Sequence, residues 1–301
     1  MTTTFDIKKI LIPIDFSETS LLAIQHGSFT AQLFKAELIL LHVVENHWEK
    51  FSVVAPELRI DAPSDLTNAI EKRLEETAAD IRSKYGVKST TITSNGTIFS
   101  EILSISKEHN VDLVVMGTHG TSGVVEFFIG SNTFKMVTQS KCPVISVQAE
   151  AKKVGFKDIL LPIDDSLHSR QKVNHAIVLA KHFASKIHIL GLDDSRTDEA
   201  ARKKFQIKID QIREYVKKCD IPFTCKTIEG KNQAKVTYDY AKSVNADLIV
   251  IMTDQDEDIT GRFMGTFAQQ IINHSKIPVM SIQPVQGYID FPHLGGGWHG
   301  A

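Results

Sequence analysis

An internal repeat is the feature of this sequence that most constrains its fold, because two similar segments in one chain predict two similar folding units. The segment KKILIPIDFSETS, which begins at Lys8, matches KDILLPIDDSLHS, which begins at Lys157. At this separation of 149 residues, Asp15 corresponds to Asp164. Each aspartate directly follows a short apolar run. The repeat therefore predicts two equivalent strands, each ending beside an aspartate.

The later part of the repeat keeps the same order at a shorter separation. VDLVVM at 111–116 matches ADLIVI at 246–251, and KCPVISV at 141–147 matches KIPVMSI at 276–282. The separation here is 135 residues, so the second copy is 14 residues shorter than the first. We assign the difference to residues 45–65, which contain two prolines and no regular period. This stretch is predicted to be a long loop that only the first copy has.

The length of the chain suits two domains. A chain of 301 residues with 42% hydrophobic content can build two separate cores. We predict a first domain at 1–148, a linker at 149–156, a second domain at 157–284 and a glycine-rich C-terminal tail at 285–301. A linker this short predicts that the two domains pack against each other rather than moving freely.

Strand and helix patterns alternate within each copy. In the first copy the strand candidates are ILIPI, LILLHVV, STTIT, DLVVM and VISV, most of them rich in β-branched residues. The segments between them have apolar residues at i, i+3, i+4 and i+7, the spacing of one helix face. This alternation predicts an α/β fold with a doubly wound parallel sheet covered on both faces. A ligand of such a sheet binds outside the carboxyl ends of the strands, where Asp15 lies.

Composition and charge exclude several classes of function. The 34 basic and 36 acidic side chains are mixed along the chain, without the basic stripe typical of nucleic-acid binding. The longest apolar runs are too short to span a bilayer, and the N-terminus has no signal-peptide pattern. The three cysteines fit no common zinc spacing and suit a reducing compartment. We therefore predict a cytoplasmic protein that binds neither nucleic acid nor membrane and has no metal site.

A glycine-rich segment follows the fourth predicted strand of the first copy. It has the sequence GTHG at 117–120 and, after nine further residues, GSN at 130–132. Such glycines let backbone N–H groups approach an anion, and the start of the next helix would favour a phosphate. Ser131 would either donate its hydroxyl or act as the helix N-cap. The pattern is neither a Walker loop nor a GxGxxG motif, so a purely structural loop is the alternative.

The spacing Gly-x2-Gly-x9-Gly-Ser after a VVMG strand resembles the nucleotide-binding signature of the universal stress protein family. The segments PIDFSETS, LLHVV and KCPVISV also resemble that family, and the resemblance covers both copies, at 5–148 and 154–284. It implies two tandem Rossmann-like sheets of five parallel strands, each in the order 3-2-1-4-5. It also implies that the two fifth strands pair, which relates the copies by a pseudo-two-fold axis.

The resemblance also implies a ligand, because family members with this signature bind ATP. The expected cofactor is therefore ATP, with or without Mg²⁺, with its adenine near Asp15 and its phosphates near the later glycines. The nucleotide-binding residues implied in this way are Asp15, Val43, Met116, Gly117, Thr118, His119, Gly120, Gly130, Ser131 and Asn132. From the residues alone, Asp15 could instead cap the following helix, and His119 could be an ordinary loop residue.

The second copy departs from the glycine signature. The positions of Gly117 and Gly120 hold Met252 and Gln255, and only the last pair persists, as Gly-Thr at 265–266. Four acidic side chains lie in the same loop, which we expect to be a solvated loop rather than a calcium site. A carboxylate and a phosphate repel each other by about 1 kcal/mol per pair of unit charges at 4 Å in water. We therefore predict that the second copy does not bind ATP, and that the fold itself does not require the missing glycines.

Three functions are compatible with these observations. The resemblance favours a stress-response regulatory module that holds ATP in its first domain only and shifts its conformation with the nucleotide. A slow ATPase is the second candidate, although no residue is predicted to be catalytic and only His119 and Glu126 lie near the expected γ-phosphate. The third is a scaffold with two vestigial sites. Protein partners and a homodimer remain open at this stage.

Overall fold

The computed structural model describes residues 5–45, 64–118, 129–166, 168–194, 198–253, 255–258, 261–264 and 266–285. In the first copy, strands and helices alternate as predicted. The strands are β1 (Lys9–Pro13), β2 (Glu37–Val44), β3 (Ser89–Asn95), β4 (Leu113–Gly117) and β5 (Val144–Val147). The helices are α1 (Glu18–Phe34), α2 (Ser64–Tyr85), α3 (Ile98–Glu108) and α4 (Ser131–Gln139).

The second copy repeats this order. Its strands in the main sheet are β6 (Asp158–Ile163), β7 (Lys186–Asp193), β8 (Phe223–Glu229), β9 (Leu248–Met252) and β12 (Val279–Ile282). Its helices are α5 (Lys172–Phe183), α6 (Glu199–Lys218), α7 (Gln233–Ser243) and α8 (Thr266–His274). The acidic segment after β9, which we expected to be a solvated loop, contains an antiparallel hairpin of β10 (Gln255–Asp258) and β11 (Gly261–Met264).

Ten of the described strands form one sheet, in the order β3-β2-β1-β4-β5-β12-β9-β6-β7-β8. Each half has the predicted parallel order 3-2-1-4-5. The two halves join where β5 and β12 pair antiparallel, with Ile145 opposite Met280. The predicted pairing of the fifth strands is therefore confirmed. It also makes the two expected sheets one continuous sheet, because each fifth strand would otherwise be an exposed edge.

Helices cover both faces of this sheet. Alternate residues of β1 enter different layers: Ile10 and Ile12 pack in one layer, and Leu11 packs in the other. All three side chains are fully buried, and burial of each stabilises the fold by about 1.5–3 kcal/mol. Both layers are continuous across the two copies. One contains Ala23 of α1 and Ala176 of α5, and the other contains Leu11 of β1 and Leu160 of β6.

Helices α1 and α5 meet across the pseudo-two-fold axis through aromatic and histidine side chains. Phe34 of α1 stacks on His182 of α5, with ring centroids 3.7 Å apart. His26 of α1 stacks on Phe156, and its Nε2 lies 2.9 Å from the carbonyl oxygen of Ala151 in the predicted linker. The copies are therefore joined by side-chain packing as well as by the sheet. None of the described helices combines the length and apolar composition that crossing a bilayer would need.

Candidate functional site

The carboxyl ends of β1, β2 and β4 form the edge at which the sequence predicts a ligand. β1 pairs with β2 on one side and with β4 on the other, so the connections leave β1 in opposite directions. This is the switch point of the doubly wound sheet in the first copy. Asp15 follows β1, Val43 lies near the end of β2, and Gly117 ends β4. The fold therefore brings these three predicted residues to one edge.

Asp15 is hydrogen-bonded to Ser17, the residue that caps α1. Its Oδ1 accepts hydrogen bonds from the backbone N of Ser17, at 3.0 Å, and from the Ser17 hydroxyl, at 2.5 Å. Ser17 is the N-cap, and its hydroxyl oxygen accepts from the backbone N of Ser20 at 3.2 Å. The alternative in which Asp15 itself caps the helix is therefore wrong. Asp15 instead orients a serine that performs this role.

Phe16 forms an aromatic wall beside Asp15. Its backbone is left-handed, with φ at 62°, a conformation that costs a non-glycine residue of order 1 kcal/mol or more. The ring contacts His42, with centroids 5.4 Å apart, and the Arg73 guanidinium lies 4.2 Å from the ring centroid. The Nδ1 of His42 lies 2.7 Å from the carbonyl oxygen of Ile14, which gives this histidine a structural role.

A row of hydroxyl groups connects Asp15 with the start of α4. The Ser17 hydroxyl lies 3.2 Å from Thr19 Oγ1, and Thr19 lies directly against Gly117. On the other side of Gly117, the Thr133 hydroxyl donates to the Gly117 carbonyl oxygen at 2.9 Å. Thr19 and Thr133 are not among the residues predicted to form the site. The only feature of the sequence that could have indicated them is a hydroxyl residue in the first turn of each of the two helices.

Gly117 also has a packing reason to be glycine. A Cβ at this position would lie 2.6 Å from Thr19 Oγ1 and 2.9 Å from the Thr19 backbone carbon, closer than real contacts allow. The expectation that the fold does not require this glycine is therefore wrong for the first copy. Helix α1 packs so tightly on the end of β4 that a side chain at Gly117 would displace it.

The start of α4 has a geometry that suits an anion. Gly130 is the N-cap, and its backbone N donates to the Thr118 carbonyl oxygen at 2.8 Å. The alternative in which Ser131 is the N-cap is therefore wrong; Ser131 is the first helical residue, and it is exposed. A glycine N-cap has no side chain with which to accept from the first N–H groups of the helix. These groups also have no acceptor within the helix, and the helix dipole favours negative charge beside them.

The remaining predicted residues fall into two groups. The side chains of Met116 and Thr118 are 5% and 2% exposed, so a ligand at this edge could use only their backbone groups. Asn132 is half-buried in the first turn of α4. His119 and Gly120 lie outside the described residues. No grouping of three or more histidine, cysteine, aspartate or glutamate side chains that could hold a metal occurs within the described part of the chain.

The equivalent edge of the second copy is occupied by its own side chains. Lys172, which corresponds to Ala23, is 2% exposed and donates to Ser169 Oγ at 2.9 Å. Ser169 Oγ also accepts from the backbone N of Asp164 at 3.1 Å. Burial raises the pKa of Asp164, but the Lys172 charge and hydrogen bonds from Ser166 and Ser169 outweigh it and lower that pKa. An internal cation therefore already compensates the carboxylate that corresponds to Asp15.

Further features close this second edge. Helix α5 begins five residues later in the repeat than α1, and Met252, 4% exposed, occupies the position of Gly117. The Lys208 ammonium donates to three successive backbone carbonyl oxygens of the loop after β6, at 3.3, 2.7 and 3.2 Å, those of Asp164, Asp165 and Ser166. The cavity beside Leu192, which corresponds to Val43, has a volume of about 20 Å³ and is the size of one water molecule.

Comparison with known proteins agrees with the repeat and the fold. A model of the universal stress protein family matches residues 6–148 and, a second time, residues 155–283. The chain belongs to the universal stress protein family. The two matches make it a tandem member of the family, as the resemblance of the glycine segment and the flanking strands implied.

Individual relatives match one copy or both. A universal stress protein of Methanocaldococcus jannaschii is 30% identical over 154 residues, which cover 47% of this chain and 94% of the relative. Another, from Bacillus subtilis, is 34% identical over 148 residues, covering 46% of this chain and 98% of the relative. The crystal structure of a universal stress protein from Archaeoglobus fulgidus covers 91% of this chain and 98% of its own, with a TM-score of 0.70 at 19% identity. This last similarity shows that the fold is shared across both copies.

Proposed function

We propose that the first copy binds an adenine nucleotide, with ATP as the principal ligand, and that the second copy does not. The observation that carries the proposal is the glycine-capped start of α4, which lies at the switch point of the sheet with its N–H groups available to an anion. The nucleotide signature of the universal stress protein family at the same residues supports the choice of ATP.

The described residues suggest how the nucleotide is held. Its base would lie toward Val43 and the Asp15 loop, where Phe16 provides an aromatic surface. The half-buried Ser17 would offer its hydroxyl group between the base and the phosphates. The phosphates would accept from backbone N–H groups at the start of α4 and from the exposed Ser131 hydroxyl. Any Mg²⁺ would be carried mainly by the phosphate oxygens, because no metal-ligand grouping occurs among the described side chains.

Binding at this edge would act on the whole molecule, as expected of a regulatory module in a stress response. The site is formed by strands and helices of the first copy, and the first copy is continuous with the second through β5 and β12. A ligand that binds only the folded state stabilises it by about 2.7 kcal/mol at one hundred times its Kd. Nucleotide level would therefore change the stability and the population of conformations that protein partners meet.

The test begins with the purified protein. Denaturation followed by mass spectrometry identifies any nucleotide that co-purifies, and calorimetric titration of the emptied protein with ATP gives affinity and stoichiometry. We expect one ATP per chain. Two equivalent sites would contradict the asymmetry, and failure to bind any adenine nucleotide would overturn the proposal. Following ADP in the same samples decides whether the bound nucleotide is consumed.

A further inference from the structure

A residue of the second copy contacts the loop that leads into the phosphate-binding end of the first copy. The side-chain Oδ1 of Asn273, in α8, accepts a hydrogen bond from the backbone N of Ile129 at 3.1 Å. Ile129 directly precedes Gly130, the N-cap of α4. Both partners are half-buried, so the bond is partly protected from competing water. The two residues lie in different copies, and the bond therefore crosses between them.

This bond is one of two that hold successive backbone N–H groups at the end of the loop. The Ile129 N–H is held by Asn273, and the Gly130 N–H donates to the Thr118 carbonyl oxygen at 2.8 Å. Together the two bonds fix the direction in which the chain enters α4. The next N–H groups in the chain, beginning at Ser131, are those that the proposed function assigns to the phosphates. Their direction depends on the two anchored peptide groups before them.

The contact between Asn273 and Ile129 is not the only place where the second copy lies close to α4. The backbone of β11, in the acidic segment of the second copy, also lies beside α4. At the position of Asn273 the first copy has Thr138, whose hydroxyl donates to the carbonyl oxygens of Phe134 and Lys135 in its own helix. The position of Ile129 holds Met264 in β11. The two copies have therefore diverged on both sides of this contact.

We propose that Asn273 is a positioning residue of the second copy for the phosphate end of the nucleotide site in the first copy. The inference rests on the proposed function and gives the second copy a part in it. A helix start whose preceding peptide groups are already held loses less conformational entropy when the ligand binds. Loss of the Asn273 contact should therefore weaken ATP more than it weakens a ligand that has no phosphates.

The experiment compares Asn273→Leu, which keeps the side-chain size but removes the acceptor, with the wild-type chain. We expect the Kd for ATP to rise roughly three- to tenfold, the effect of one hydrogen bond, while the Kd for adenosine measured by competition stays unchanged. Hydrogen exchange of the peptide containing Ile129 should be faster in the variant even without nucleotide. Asn232→Ala is the matched control, because it removes the side-chain cap of α7 in the same copy without touching this loop.

Each outcome supports or overturns the inference. Unchanged ATP affinity in Asn273→Leu overturns it, as does an equal loss for ATP and adenosine, which would indicate general damage. An equal loss of ATP affinity in Asn232→Ala has the same meaning. A wild-type chain that binds no adenine nucleotide overturns the proposed function and the inference together. A wild-type chain that binds ATP with an unaffected variant overturns the inference alone.

Discussion

The carboxyl edges of the two copies share a strand order but are built from opposite chemistry. In the first copy, Thr19 and Gly117 leave a hydroxyl-rich edge where helix and strand approach closely. At the equivalent positions of the second copy are His168 and Met252, and the helix begins later. The second edge also contains Lys172, a buried cation that donates a hydrogen bond to Ser169 of the same copy.

The difference shows that one repeated fold can carry two edges of different chemistry. An edge that takes an anionic ligand must leave backbone N–H groups and space available to it. The second copy has buried Met252 and Lys172 at the positions of Gly117 and Ala23, and the Lys172 charge compensates the Asp164 carboxylate without a ligand. The same strand order can therefore support a hydroxyl-rich edge in one copy and an edge with an internal cation in the other. Three substitution experiments test this contrast.

The largest expected effect comes from Lys172→Met. Removing the cation leaves the Asp164 carboxylate without its main compensating charge, and we expect the free energy of unfolding to fall by about 3 kcal/mol at pH 7. Because the pKa of Asp164 is lowered in the fold, its contribution is present above the ordinary value of 3.8 and is lost on acidification. The wild-type and variant stabilities should therefore converge as the pH falls below that value. Urea titrations at several pH values measure this.

The double variant Lys172→Met with Asp164→Asn is the control for that experiment. It removes both charges, so it should recover most of the stability that the single variant loses. If the single variant is as stable as the wild type at pH 7, the second edge is not closed by an internal charge. The contrast between the copies would then depend on packing alone.

A second prediction concerns the pair Gly117 and Met252. We expect Gly117→Ala to destabilise the nucleotide-free protein by about 2 kcal/mol, because the new Cβ would overlap Thr19. Met252→Ala should also destabilise it, by about 2 kcal/mol or more, for the opposite reason, since it leaves a cavity in the core. Thermal or urea unfolding measures both effects. A Gly117→Ala variant as stable as the wild type would show that this glycine serves only the ligand.

The smallest expected free-energy change distinguishes the two helix starts. Ser131 and Thr266 are equivalent, and both are exposed first residues of their helices. Aspartate at either position suits the helix dipole, so Ser131→Asp and Thr266→Asp should both remain folded. Only Ser131→Asp should repel the phosphates, and we expect it to weaken ATP roughly tenfold. Calorimetric titration of both variants measures this, and equal losses would contradict a site in the first copy only.

Much of the fold could be predicted because it depends on local patterns that repeat. The short apolar runs and the periodic segments between them predicted the strands and helices of the first copy, and the family resemblance supplied the strand order and the pairing of β5 with β12. The site was predictable only in part. The approach of Thr19 to Gly117 and the bond from Thr133 join three elements that are distant in sequence. Distances of this kind leave no periodic signal.

The sequence by itself determined that this protein is two copies of one α/β unit, because the repeat and its hydrophobic pattern depend only on residue order. It also identified the glycine segment as the place where the copies differ. Only the tertiary structure decided that α1 leaves no room for a side chain at Gly117 and that Lys172 is buried at the edge of the second copy. It also decided that Asn273 of the second copy accepts a hydrogen bond from Ile129 of the first. The physical reason is that packing and hydrogen bonding act over a few ångströms in space, whatever the separation along the chain.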